Sequence, residues 1–491
     1  MQVAEPQRVV GSPQQQRFWA EITGHDSHVV LEARAGTGKT FSVREAMRRI
    51  NGRAVYCAFN KHIADEFAKG LPPNATASTM HSLGNRVLRR AFPKSQLDGR
   101  KLGKLIEAAK INRAVFTETM DLVGLVKNNA LTDLSPGSLL EAAARQGITF
   151  GYHTERVLEA IPAIIEQAAD VSESFDFDDM IWIPVHHQLD GFESCEALFI
   201  DEAQDLSPCQ QKLAHLIGGG RHIVVGDPFQ AIYGFRGADS ESINSLRKGM
   251  EATGRETVTM PLTMTRRCPQ AVVNLCKGIV PDLEAMPNAP EGDVDSVFEH
   301  SLGLARPGDM VLCRTNAPLA KIAAKFAVMG LKAIVRGADQ SRGLLSMARK
   351  FAGPTPTHTV VNLRVHLDAE VKKLTDAKAS EASIGALEDK VQTLIAIVSA
   401  CSSNSEVERS ISGMFSDDIE NAVILSSIHR SKGLEARTVF VIEPGQIPHK
   451  RARMQWEKDQ ERNLAYVAAT RAKESLYFVG DIPAIYQGGA R

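Results

Sequence analysis

The stretch His28 to Thr40, HVVLEARAGTGKT, constrains the fold of this chain more than any other segment. Residues His28 to Ala33 form an apolar run that reads as a buried strand. The run leads straight into a glycine-containing loop that opens a helix. Gly36 and Gly38 allow the backbone from Ala35 through Thr37 to wrap its amides around phosphate oxygens, at the positive end of the helix that follows. Lys39 is then placed to reach the β- and γ-phosphates of a nucleotide, and the Thr40 hydroxyl to hold Mg²⁺. The first glycine of the usual phosphate-loop pattern is Ala33 here.

A second segment, LFIDEAQDLSPCQ from Leu198 to Gln210, supplies what the loop lacks. It reads as another buried strand ending in adjacent carboxylates. Asp201 suits the metal and Glu202 the attacking water. Ser207 and Pro208 open a helix as N-cap and first-turn residue, which leaves both carboxylates just ahead of the helix. Together the two segments imply binding and hydrolysis of ATP with Mg²⁺.

The remaining bulk properties exclude several classes. A chain of 491 residues can form about three or four domains. Hydrophobic residues make up 43%, enough to bury several cores. No apolar stretch approaches the roughly 20 residues of a membrane span, and MQVAEPQRVV at the start lacks a secretory apolar region. The expected setting is therefore the cytoplasm. The seven cysteines, at 57, 195, 209, 268, 276, 313 and 401, form no CxxC pair and no zinc spacing. With a net charge of −1, any nucleic-acid binding must come from a local groove.

Further boxes follow in order along the chain, and with them the sequence resembles the superfamily 1 DNA helicases of the UvrD/Rep type, in a compact, phage-like form, from about residue 12 to residue 480. SPQQQRFW, Ser12 to Trp19, resembles the Q motif, which implies that Gln15 reads the adenine edge. VYCAFNKHIADEF, Val55 to Phe67, and TMHSLG, Thr79 to Gly84, resemble boxes that contact single-stranded DNA, through Phe59, Asn60, Thr79 and His81. VVGDPFQAIYGFRGAD, Val224 to Asp239, resembles the box in which Gln230 senses the γ-phosphate and Tyr233, Phe235 and Arg236 meet DNA. An aromatic ring at 235 can stack on any base. LTMTRRCP, Leu262 to Pro269, places Arg267 as a γ-phosphate arginine. The tyrosine that usually precedes it is Arg266, while Phe41 follows Thr40, so this pair is expected to clamp adenine with its partners exchanged. MVLCRTNAPL, Met310 to Leu319, offers Arg314 and Asn316 as strand contacts. SSIHRSKGLEARTVFVIEP, Ser426 to Pro444, implies His429 at DNA and Glu435 on the ATP ribose. ERNLAYVAATRAKESLYFV, Glu461 to Val479, makes Arg471 an arginine finger.

The boxes imply an α/β architecture of two RecA-like parallel-sheet cores with two mainly helical inserted subdomains. Residues 1–88 and 190–262 form the first core and 89–189 its insertion; 263–345 and 420–491 form the second core and 346–419 its insertion. FDFDDMIWIP, Phe175 to Pro184, contains Asp178 and Asp179, read here as structural and not as a metal pair. In the second insertion Leu387, Val391, Leu394 and Val398 lie at helical spacing, either inside a small bundle or as a protein-docking face.

The resemblance implies 3′→5′ movement on single-stranded DNA coupled to unwinding of tailed duplex DNA, in replication, repair or recombination. Large members carry a strand-separating hairpin after the last box, where this sequence has only GDIPAIYQGGAR. PGQIPHKRARMQW, Pro444 to Trp456, is either a substitute or a solvated loop. Two other readings stay open: a DNA-stimulated ATPase switch or translocase subunit of a defence or recombination complex, and an RNA-directed motor.

Overall fold

A computed structural model describes residues 11–145, 148, 153–217, 220–232, 241–376, 381–415 and 420–487. The chain is α/β, with two six-stranded, all-parallel sheets. By their internal contacts the residues group into two units. One comprises Met1–Lys110, Val123–Thr132 and Ile161–Met264; the other comprises Ile111–Leu122, Asp133–Ala160 and Thr265–Arg491. The division runs through the first helical insertion, and the helix Phe116–Asn129 is shared between the two.

The first sheet contains β1 (His28–Ala33), β2 (Ala54–Ala58), β3 (Ala75–Thr79), β4 (Ala197–Ile200), β5 (Arg221–Gly226) and β6 (Thr257–Leu262). Their order across the sheet is β3-β2-β4-β5-β1-β6. Strands β2, β4 and β5 are buried at every residue, as continuous apolar runs in a sheet covered on both faces must be. The helix Pro13–Gly24 is started by a capping box between Ser12 and Gln15. It packs Phe18, Trp19 and Ile22 against Val29, Leu31, Val43 and Met47. Because β5 lies between β1 and β4, the loops leaving all three strands open side by side at the carboxyl edge, where ligands bind in folds of this kind.

The insertion between β3 and β4 is mainly helical. It is closed by a short parallel pairing of Gln96–Leu97 with Ser174–Phe175. Beneath that closure lies a buried charge quartet. Lys127 Nζ donates to Asp176 Oδ2 at 2.9 Å and to Asp179 Oδ1 at 2.8 Å, while Lys101 Nζ donates to Asp179 Oδ2 at 2.9 Å. Burial opposes the charge on Lys127, but the two carboxylates outweigh it and raise its pKa. Both oxygens of Asp179 are thus committed to lysines, and the segment ties the insertion together. Asp178 stands apart from the quartet's hydrogen bonds, and burial pushes its carboxyl up.

The second unit holds β7 (Asp293–Val297), β8 (Met310–Cys313), β9 (Ala333–Val335), β10 (Val423–Ser427), β11 (Ala436–Ile442) and β12 (Ala472–Val479), ordered β7-β12-β11-β8-β10-β9. Between β9 and β10 come the helices Ala338–Lys350, Pro356–Asp376, Glu381–Ser399 and Asn404–Met414. Val391, Leu394 and Val398 are fully buried, in one cluster with Val311 and Leu425 of the sheet, and Leu387 packs against it. The expected choice between bundle and docking face is therefore decided for the bundle: this stripe is core. The segment after β11 is also anchored. Arg451 Nη2 donates to both carboxylate oxygens of Glu388 at 2.9 Å, and the His449 amide donates to Glu461. No helix among the described residues is long and apolar enough to cross a membrane.

Candidate active site and nucleic-acid surface

The loop after β1 turns through two left-handed glycines, Gly36 at φ 73° and Gly38 at φ 83°. Any side chain at 38 would also press on Gln15, whose Nε2 lies 3.2 Å from the position of a Cβ there. Thr37 Oγ1 donates to the Arg34 carbonyl at 2.8 Å and rigidifies the loop, with Ala35 buried beneath it. The helix Lys39–Met47 starts directly at Lys39.

Lys39 Nζ donates to Glu202 Oε1 at 2.6 Å, bringing the two widely separated segments together. Burial opposes the lysine's charge, but Glu202 and Asp201 overcome it and hold its pKa above the usual range. Asp201 directly follows β4, with Oδ2 accepting from the Tyr56 hydroxyl at 2.5 Å and Oδ1 from the Glu202 amide at 2.9 Å. Burial raises its carboxyl pKa; Lys39 opposes this and Glu202 adds to it. Glu202 itself has φ 51°, a conformation that costs a non-glycine residue roughly 1–2 kcal/mol. Asp201 and Thr40 carry hard oxygen donors of the kind Mg²⁺ takes.

After β5, Gln230 Nε2 donates to Asp227 Oδ2 at 2.7 Å. Arg34 stands 3.5 Å from the other Asp227 oxygen and lies over the Phe229 ring, 4.8 Å from its centroid. Sequence reading singled out none of Arg34, Tyr56, Gln204 and Asp227. Their signal is contact across strands, which spacing along the chain does not carry.

Phe41 is 45% exposed and edge-on to Trp19, and so offers an open ring beside the phosphate loop. Gln15 belongs to the capping box of the first helix. Its Oε1 accepts from the Ser12 amide and its Nε2 donates to Ser42 Oγ.

The expected DNA contacts divide into two groups. Phe59 and Asn60 follow β2, while Thr79 ends β3, so they share one edge of the first sheet. Asn60 and Thr79 cap the helices Lys61–Ala68 and Met80–Ala91. Phe59 is 39% exposed. His81, its pKa lowered by burial, lies 5.6 Å from the ring of Phe177, which is 61% exposed and was not anticipated. Tyr233, Phe235 and Arg236 lie outside the described residues. Arg314 and Asn316 are engaged within their own unit. Arg314 makes a forked ion pair to Glu461, at 2.9 and 2.7 Å, and Glu461 is only 2% exposed. Asn316 holds Asp389 of the helix Glu381–Ser399 at 2.8 Å. Both are internal struts. A forked arginine on a buried carboxylate is costly to open.

In the second unit Glu435 accepts from Arg267 Nε at 2.7 Å and from Lys473 Nζ at 2.6 Å. Burial works against its charge, yet the Lys473 and Arg267 partners win and lower its pKa. Arg266 is exposed, and His429 is half-buried on the turn Ile428–Ser431. Arg471 differs from the expected extended finger. It is 1% exposed and donates to the Val467 and Leu434 carbonyls and to Thr470 Oγ1.

Comparison with known proteins places these observations in a family. Residues 13–251 match the UvrD/REP helicase N-terminal domain, and residues 366–480 match the UvrD-like helicase C-terminal domain. F-box DNA helicase protein 1 of Schizosaccharomyces pombe is 24% identical, over 93% of this chain and 56% of that protein. F-box DNA helicase 1 of Gallus gallus is 25% identical, over 94% and 48%. ATP-dependent DNA helicase PcrA of Staphylococcus aureus is 22% identical, over 82% and 72%. The chain spans about half the length of the two F-box relatives. With the two domain matches together covering well over half of its length, the chain belongs to the UvrD/Rep-like helicases of superfamily 1.

Proposed function

We propose that this chain is an ATP-dependent DNA helicase or translocase that moves 3′→5′ on single-stranded DNA, in replication, repair or recombination. The observation that carries the reading is the convergence of Lys39, Asp201 and Glu202 at the carboxyl edge of adjacent strands. Lys39 exchanges its carboxylate partner for the β- and γ-phosphates. Glu202, released from the lysine, orients the attacking water and takes its proton. Thr40 and Asp201 hold Mg²⁺, which neutralises phosphate charge when bound. Gln230 responds to the γ-phosphate from the end of β5. Phe41 offers its ring to the adenine. In the second unit Arg266, Arg267, Glu435 and Arg471 are proposed as nucleotide residues by the family resemblance.

Single-stranded DNA runs over Phe59, Asn60, Thr79 and His81, with Phe177 added to that surface; Tyr233, Phe235, Arg236 and His429 are proposed as further contacts by the family resemblance. Stacked bases supply roughly 1–3 kcal/mol each without sequence preference. The relatives' printed names, two of them DNA helicases by title and one an ATP-dependent DNA helicase, support this substrate.

The test is ATP hydrolysis with and without single-stranded DNA, beside unwinding of duplexes with a 3′ or a 5′ tail. Stimulated hydrolysis with opening from the 3′ tail alone is the expected result. Stimulation with neither duplex opened identifies a translocase or switch that needs a partner. Stimulation by RNA in preference to DNA overturns the substrate.

A further inference from the structure

Gln204 is 1% exposed and lies between two functional elements. Its Oε1 accepts from the Asp227 backbone amide at 3.0 Å. An amide N–H can only donate, so this contact fixes the side chain's orientation and leaves Nε2 facing the other way. Nε2 donates to Glu202 Oε2 at 2.6 Å. Glu202 thus has one oxygen on Lys39 and the other on Gln204. Beyond Asp227 the same path reaches Gln230, through Asp227 Oδ2 at 2.7 Å.

The backbone is shaped for this contact. A Cβ at Gly226, the last residue of β5, would stand 2.5 Å from Gln204 Oε1 and 3.3 Å from the Ala203 amide. Only glycine lets the side chain come so close. The turn carrying Gln204 is held independently, since Ser242 Oγ donates to the Ala203 carbonyl at 2.6 Å.

We propose that Gln204 is a positioning residue that aims the Glu202 carboxylate at the attacking water and links that aim to the turn carrying Gln230. The proposal rests on the ATPase reading. Gln204 acts through Glu202 and the Asp227 amide. It sets which lone pair of Glu202 faces the reaction, and it transmits movement of the 227–230 turn to the base.

The experiment compares the full chain with Gln204→Glu, which keeps the shape but loses the donor, with Gly226→Ala, which keeps Gln204 but displaces it, and with the pair Gly226→Ala/Gln204→Ala. DNA-stimulated kcat, KM for ATP, the pH profile of kcat and Tm are measured for each. Misplacing a reacting group lowers turnover by about 10- to 100-fold, so kcat falls to that extent in both single variants. KM stays within about twofold, because ground-state binding does not involve Gln204. In Gln204→Glu the acid limb of the kcat profile moves to higher pH, since a carboxylate has lost a donor and gained a like charge. The double variant loses little beyond the singles, as coupled residues do. Variants with lowered Tm but unchanged kcat per folded molecule and an unchanged pH profile would make Gln204 packing only and overturn the proposal. Absence of hydrolysis by the unaltered chain overturns the ATPase reading, and this inference with it.

Discussion

Replacing Glu202 by glutamine separates the two jobs that the carboxylate performs. Glu202 holds Lys39 at 2.6 Å, with 14% of the lysine side chain and 22% of the glutamate side chain exposed. ATP must take Lys39 away from that partner. A partly screened pair of this kind contributes about 1 kcal/mol, so removing the competing charge should tighten ATP binding by roughly fivefold. The same substitution removes the proton acceptor, which lowers turnover by about 10²- to 10⁴-fold. The expected signature is therefore a lower Kd together with a much lower kcat. Titration of a fluorescent ATP analogue gives the first and phosphate release under saturating DNA gives the second. Turnover within about tenfold of the unaltered chain would remove Glu202 from the base role. Weaker nucleotide binding would refute the account of the resting lysine.

Three further expectations use other parts of the structure. Phe41→Ala should weaken ATP binding, because the exposed ring beside the phosphate loop is lost; unchanged ATP affinity would end the adenine-platform reading. Arg314→Ala should lower stability by about 3 kcal/mol, because it strands the buried Glu461 carboxylate, without changing DNA affinity of the folded protein; a selective loss of DNA binding would restore Arg314 as a strand contact. Stability should fall on mild acidification. Burial first, then the neighbouring His215, His28 and Arg255, lower His222 from 6.5 to about 3. The folded state therefore refuses a proton that the unfolded chain accepts below pH 6.5, and stability drops as pH falls through that value, by about 2 kcal/mol at pH 5. His28 and His215 are lowered by burial too and act in the same direction. Urea denaturation at several pH values checks this, and a flat profile between pH 7 and pH 5 would contradict it.

Local chemistry made much of this protein readable from its residues alone. A strand running into GTGKT, and another ending in Asp201–Glu202, specify their own geometry within a few residues, because glycine conformation, strand burial and helix start are local properties. The same holds for the helical character of the insertions and for the cap at Ser207, whose capping box the structure contains. The ordered series of boxes carried the family. Competition between partners was not readable. Arg314, Asn316 and Gln15 stand in the right boxes, yet Glu461, Asp389 and Ser42 claim them, and those partners are distant in sequence or in purpose. Arg471 likewise turned inward to carbonyls of its own unit. Gln204, Asp227 and Gly226 gained their meaning only when β4 and β5 were laid side by side. A hydrogen bond between parallel neighbours depends on which strand lies next to which, and that order is decided by the packing of the whole sheet.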